Sequence, residues 1–164
     1  IPSVRRTSPE ALSPRVKTNN YLNLIMGDLE AKAANPNAWA ILLDTNGNLC
    51  EGIGSNFFTV TDGVIKTPKD KYVLGGISRD TVTELANSLD IEIIQDDIDI
   101  YDAVNADEVF LTSTSLCACP VSSINGKIVG NGDQPGPVTK AITDAYIDLV
   151  DYDFVAQYLK KLEV

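Results

Sequence analysis

Apolar positions along this chain change period several times, and each change marks an element. Tyr21, Leu22, Leu24, Ile25, Leu29 and Ala33 fall at helical spacing and Asn35-Pro36-Asn37 closes the run, which predicts a helix. AWAILLD predicts a short buried strand, and DTNGN at 44–48 supplies Asn-Gly, a strong hairpin signal. NFFTVTDGVIKTP repeats the device with Asp62-Gly63 between two strands, so antiparallel pairing is expected. In GGISRDTVTELANSLD a diglycine leads into a helix, with Ser78 as its expected cap and Val82, Leu85, Ala86 and Leu89 on one face. IEIIQDDI and DEVFLTSTS predict two more strands, the second running into a hydroxyl-rich turn. INGK at 124–127 predicts a further hairpin and GNGDQPGP a loop. Residues Val138 to Leu162 read as helix with a break near Asp151. No internal repeat or low-complexity tract interrupts the series, so one mixed α and β domain is expected.

Composition narrows the chemistry. With 164 residues, 44% of them hydrophobic and 22% charged, the chain can bury one core. Its 23 acidic against 13 basic residues give a charge of −10, which argues against nucleic acid and anionic membrane surfaces as partners. No apolar run is long enough to span a bilayer and no signal-peptide pattern opens the chain, so a soluble cytoplasmic protein is expected. Ile1 in place of methionine, with Pro2, Pro9 and Pro14 close behind, suggests an arm belonging to something longer. Cys50, Cys117 and Cys119 form no metal-ligand spacing and read as reduced and structural; no metal site is expected. The absence of histidine removes Ser-His-Asp and Cys-His catalysis, leaving acid-base work to Lys, Tyr, Asp, Glu or a cofactor.

Four stretches can carry such chemistry, and each has a plain structural reading beside it. In CEGIGSNFF, Glu51 leaves a strand into Gly52 and Gly54, either to meet a ligand closely or as an exposed acid at a bulge or turn. In LGGISRDTV a glycine loop opens a helix whose free amides and Ser78 hydroxyl suit a phosphate, unless Ser78 is only a cap. LTSTS at 111–115 is either an anion-binding ring of hydroxyls or the ordinary preference of Thr for strands and Ser for turns. Lys17 is a solvated charge or, in an environment that stores it as an imine, a nucleophile. Taken together, the four supply what pyridoxal phosphate requires: an imine-forming amine, a partner for the pyridine nitrogen, and two phosphate grips.

In this combination the chain resembles the class-IV, or fold-type IV, pyridoxal-phosphate enzymes: branched-chain and D-amino-acid aminotransferases, R-selective amine transaminases and aminodeoxychorismate lyase. The matching segments are VKTNNYLN, LLDTNGNLCEGIGSNFFTV, DGVIKTP, LGGISRDTVTELA, ADEVFLTSTSLCACPV and GPVTKAI, in the family's order, spanning Val16 to Leu149. The resemblance implies the large C-terminal domain of the D-amino-acid-aminotransferase-like fold, α+β, with a β-barrel-like mixed sheet and flanking helices. Residues 1–16 would be the interdomain arm and 17–164 the cofactor domain, without the family's N-terminal domain.

The resemblance further implies that Lys17 forms the Schiff base and moves the substrate proton, and that Glu51 pairs with the pyridine nitrogen. It places Ile77, Ser78 and Thr114 on the phosphate, Asn56 behind the glycine run, and Ser115 and Leu116 at the substrate. The implied activity is transfer of an amino group between an amino acid or amine and a 2-oxo acid, by a homodimer when full length. A lyase of the aminodeoxychorismate type and an inactive, truncated cofactor domain are the alternatives. GPVTKAI and the TSTSLCACPV turn favour transamination over the lyase. Two departures stand out. Tyr21 follows Lys17 by four positions, one fewer than in the branched-chain subgroup, which fits the D-amino-acid and amine branches and gives Tyr21 a packing role. The family's phosphate-binding arginine lies in the N-terminal domain, and Arg5, Arg6 and Arg15 do not match it by position.

Overall fold

In a computed structural model, residues 1–162 are described; residues 163 and 164, the end of the expected cofactor domain, lie outside them. Helix α1 covers Leu22–Ala34, and strands β1 (Ile41–Leu43), β2 (Leu49–Gly52), β3 (Asn56–Thr61) and β4 (Val64–Pro68) follow. A short 3-10 turn at Asp70–Tyr72 leads to helix α2 (Ile77–Ser88) and strand β5 (Ile93–Asp96). Helix α3 (Ile100–Asn105), strands β6 (Glu108–Ser113) and β7 (Cys117–Pro120), and the hairpin β8 (Ser123–Ile124) and β9 (Lys127–Ile128) come next. Helices α4 (Pro137–Val150) and α5 (Phe154–Leu162) close the chain.

The turns behave as their residues require. Asp62 and Gly63 both take positive φ between β3 and β4, as do Asn125 and Gly126 between β8 and β9, the backbone twist a two-residue hairpin needs. Asp151, also at positive φ, ends α4 at the expected break.

Seven strands form one sheet. β3 is its spine, bonding to β2 at its start and β4 at its end, and to β6 from Asn56 through Val60. β7 adds to the outside of β6, and β1 to β2. All these pairs are antiparallel, whereas β4 and β5 run parallel because α2 carries the chain across between them. The expected mixed sheet with flanking helices is therefore found, but the barrel-like closure is not. Among the described residues β1, β5 and β7 have no ladder to one another, so the sheet stays open.

Both faces of the spine are buried. Phe57 points into a cluster with Leu43, Leu49, Ile98, Val109 and Leu111, while Phe58, one residue on, points into another with Ile65, Val82, Phe110, Ile142 and Phe154. Phe58 and Phe110, directly opposite in the β3–β6 ladder, stack at 4.7 Å. Helices α2 and α4 cover the second face through Val82, Leu85, Ala86, Ile142 and Tyr146; Leu89, expected on that stripe, is exposed as the residue that ends α2. No helix among the described residues is long and apolar enough to cross a membrane.

Candidate active site

The start of the sheet's spine and the ends of its neighbours frame a cavity of about 410 Å³. Glu51 sits one residue before the end of β2, directly opposite Asn56 on β3, and Asn56 is in turn opposite Thr112 on β6. The connector between β2 and β3 is tight. A Cβ on Gly52 would lie 2.5 Å from the Ser55 hydroxyl and 2.8 Å from the Ala40 carbonyl, so this position admits glycine alone without rearrangement.

Glu51 is buried, not the exposed acid of the simpler reading. Its two oxygens have one partner each: Arg6 Nε donates to Oε1 at 2.9 Å, and the backbone N–H of Leu74 donates to Oε2 at 2.9 Å. Burial holds the Glu51 pKa above the ordinary carboxylate value, while the Leu74 hydrogen bond and the Arg6 charge pull the other way. The Asn56 side chain donates to the Leu74 carbonyl at 3.0 Å. Leu74 is thus clamped through both its backbone groups, which fixes the Leu74–Gly76 segment leading into α2.

Helix α2 begins on Gly76 rather than Ser78, and no side chain caps it. Ser78 is therefore not the cap but a buried residue of the first turn, and Ile77 stands exposed at the mouth. Both line the cavity. The first-turn amides and the positive end of the helix dipole face a space suited to an anion.

β6 ends at Ser113, and a turn over 114–116 returns the chain to β7. Thr114 lines the cavity, as do Thr112 and Ser113, members of the LTSTS hydroxyl run to which the resemblance gave no role of their own. The Thr112 hydroxyl is buried with no hydrogen-bond partner. An orphaned polar atom in a cavity wall fits a ligand that supplies the missing bond. Ser115 and Leu116 are not part of the lining; Ser115 is exposed on the turn, and the Leu116 N–H donates to Ser113 Oγ at 3.1 Å.

Lys17 completes the ring. It lies outside any helix or strand, exposed, just before α1, and lines the cavity together with Val16, Tyr21 and Leu24. Tyr21 has the expected packing role, against the cluster of Leu24, Ala40 and Leu42, and also reaches the cavity.

Arg6 is the residue whose role was not read from the sequence. Its backbone N–H donates to the Leu43 carbonyl at 2.8 Å. Its neighbours are tied to α1, with Thr7 N–H donating to Asn23 Oδ1 at 3.0 Å and Asn23 Nδ2 donating to the Arg5 carbonyl at 2.7 Å. The arm is thereby laid against β1 and α1 so that the guanidinium reaches Glu51. The three cysteines are free, as expected, and burial pushes the Cys50 thiol up to about 12, far from a reactive thiolate at neutral pH. Among the described residues no group of three or more His, Cys, Asp or Glu side chains is arranged to hold a metal.

The chain and its fold are similar to known proteins. The chain is 37% identical over 151 residues to the branched-chain-amino-acid aminotransferase of Escherichia coli K12, covering 91% of this chain and 48% of that protein. A crystal structure of the Escherichia coli branched-chain amino acid aminotransferase superposes with a TM-score of 0.86 at 35% identity, over 94% of this chain and 51% of that one. Another branched-chain amino acid aminotransferase, that of T.th., solved with pyridoxamine 5′-phosphate, gives a TM-score of 0.84 at 34% identity over 90% of this chain and 49% of that one. The chain thus spans about half the length of these relatives. The family model described as amino-transferase class IV matches residues 1–124, which include every cavity-lining residue named above, and the chain belongs to that family.

Proposed function

We propose that this chain is the cofactor-binding part of a pyridoxal-phosphate-dependent transaminase that moves an amino group between an amino acid, of the branched-chain aliphatic kind, and a 2-oxo acid. The observation that carries the reading is the meeting of Lys17, the buried Glu51, the glycine start of α2 and the hydroxyls of β6 in one cavity. The relatives' names supply the amino-acid class. In this reading residues 1–16 are the arm and 17–164 the cofactor domain of a cytoplasmic enzyme that is a homodimer at full length.

When bound, the cofactor supplies a sink for the electrons released at the substrate α-carbon. The chain's own residues do the rest. Lys17 would hold the cofactor covalently through Nζ, and its free amine would carry a proton to and from the substrate α-carbon. Glu51 would favour the protonated form of the cofactor's ring nitrogen, and that positive charge would offset the cost of burying the carboxylate. Arg6 and the Leu74 amide hold that carboxylate in place, and Asn56 holds Leu74. The Ile77 and Ser78 amides at the positive end of α2 and the Thr114 hydroxyl would hold the cofactor's phosphate. Ser115 and Leu116, on the turn beyond Thr114 and outside the cavity lining, would meet the substrate only where it extends past that lining.

The test uses the full-length protein. With pyridoxal phosphate it should develop the absorption band of a lysine-bound cofactor, and borohydride should fix the label on Lys17. Leucine with 2-oxoglutarate should then yield glutamate. Labelling of another lysine, or of none, overturns the assignment.

A further inference from the structure

The turn that carries Thr114 is held from outside the cavity as well as from within. Its ladder ends at the Ser113–Cys117 pair, and the tip has only local bonds: Ser113 Oγ lies 3.1 Å from Ser115 Oγ and accepts from Leu116 N–H at 3.1 Å. From the far side, the Tyr158 hydroxyl of α5 donates to the Ser115 carbonyl. Helix α5 is short, but Phe154 fixes it by packing edge-on against Tyr146 of α4, ring centres 5.8 Å apart at 83°. The Tyr146 hydroxyl is itself 3.5 Å from Ser78 Oγ in the first turn of α2. The pair α4 and α5 thus touches both of the hydroxyl-bearing segments that border the cavity. Both tyrosines lie beyond residues 1–124, the stretch matched by the family model.

We infer that Tyr158 is a positioning residue: it tethers the 113–116 turn and, with Tyr146, sets the spacing between the two segments that grip the phosphate. The inference rests on the proposed reading of the cavity as a pyridoxal-phosphate site. The physical cause is conformational entropy. An untethered four-residue tip samples many backbone states, and ordering it on each binding event costs affinity that a prior tether has already offset.

Tyr158→Phe in the full-length protein removes the hydroxyl and keeps the ring. The dissociation constant for pyridoxal phosphate should rise about five- to tenfold, the fold-change of one hydrogen bond. The absorbance of the Lys17-bound form at saturating cofactor should match the wild type, since the turn does not touch the amine. A change in the melting temperature of the cofactor-free protein with an unaltered dissociation constant overturns the tether, leaving Tyr158 a purely structural contact. Should the variant not fold, hydrogen exchange on the wild type decides: cofactor must protect 154–162 together with 113–116, and protection of 113–116 alone overturns the inference. A wild type that loads no cofactor on Lys17 overturns instead the reading of the cavity itself.

Discussion

Arg6 Nε donates to Glu51 Oε1 at 2.9 Å across forty-five positions of sequence, joining the N-terminal arm to the floor of the cavity. Both side chains are nearly withdrawn from water, 12% and 6% exposed. A charge so placed is tolerable only while its partner stays. Replacing Arg6 with methionine keeps the volume of the side-chain stem and removes the cation, so the Glu51 carboxylate is left with the Leu74 amide alone. The variant should lose about 2–4 kcal/mol of stability at pH 7. The loss should shrink as pH falls, because a protonated Glu51 has no charge to leave unpaired. Urea unfolding at pH 7 and pH 5 measures both effects.

How much of this is legible in the sequence differs by kind of signal. The Asp62-Gly63 and Asn125-Gly126 turns and the break at Asp151 can be read because a backbone forced into positive φ leaves its mark on the local residue. Lys17, Glu51, Ser78 and Thr114 each have a plain structural reading when taken alone, and only their combination and order in the chain suggest one site; the cavity they share is a tertiary fact. Arg6 leaves no such mark, since its partner is set by how the arm crosses β1. Helix α3, six residues long, is too short to show a period, although the reciprocal capping box of Asp99 and Asp102 is there to be seen. Strand β7 ends on Pro120 and carries two cysteines, a poor strand pattern that only its pairing with β6 makes into one. The cap of α2 differs from the expected one because Gly76 and Ser78 are both good cap residues, and the clamp on Leu74 starts the helix at the glycine.

Glu51 also gives the cofactor-free protein a pH signature. Burial raises its folded pKa above the ordinary 4.5, so the native state holds this proton more tightly than the unfolded chain does. Stability then falls as pH rises from about the unfolded value through the raised folded value, and is level above it. Glu51→Gln cannot titrate. The stability of the wild type relative to Glu51→Gln should therefore decline across that window and stay constant at higher pH, as read from urea midpoints of both proteins between about pH 4 and 8.

Glu108 is the second buried carboxylate with a defined task. At 3% exposure it accepts from the amides of Val138 at 2.9 Å and Thr139 at 2.7 Å, capping α4 from the neighbouring strand β6. A Cβ on Gly136 would fall 2.3 Å from the Glu108 carboxyl carbon, so the glycine is what lets the acid approach. Glu108→Ala should cost about 2–3 kcal/mol, since two buried amides lose a charged acceptor. Because α4 carries Tyr146 to Ser78, the same variant should also bind cofactor more weakly, whereas an exposed α4 substitution such as Lys140→Ala should do neither. Melting curves and cofactor titration of the two variants separate these outcomes.

The diglycine before α2 offers the sharpest contrast at the site, because its two members do different things. Gly75 is open, with nothing within 4 Å of where a Cβ would stand, and it does not adopt positive φ. Alanine there should fall within about 0.5 kcal/mol of the wild type. Gly76 has φ −83 and ψ 137, a conformation alanine accepts, so its penalty is purely steric. A Cβ would lie 2.3 Å from Asn56 Oδ1, and the Asn56 amide that must then move is the one that donates to the Leu74 carbonyl. With that bond broken, Leu74 is held only through its N–H to Glu51, and the segment leading into α2 is freed at one end. Gly76→Ala should cost about 1–3 kcal/mol through overpacking and raise the cofactor dissociation constant about tenfold. Equal behaviour of the two alanine variants would show that the Asn56 clamp does not set the geometry of the cradle; a loss confined to Gly76→Ala shows that it does.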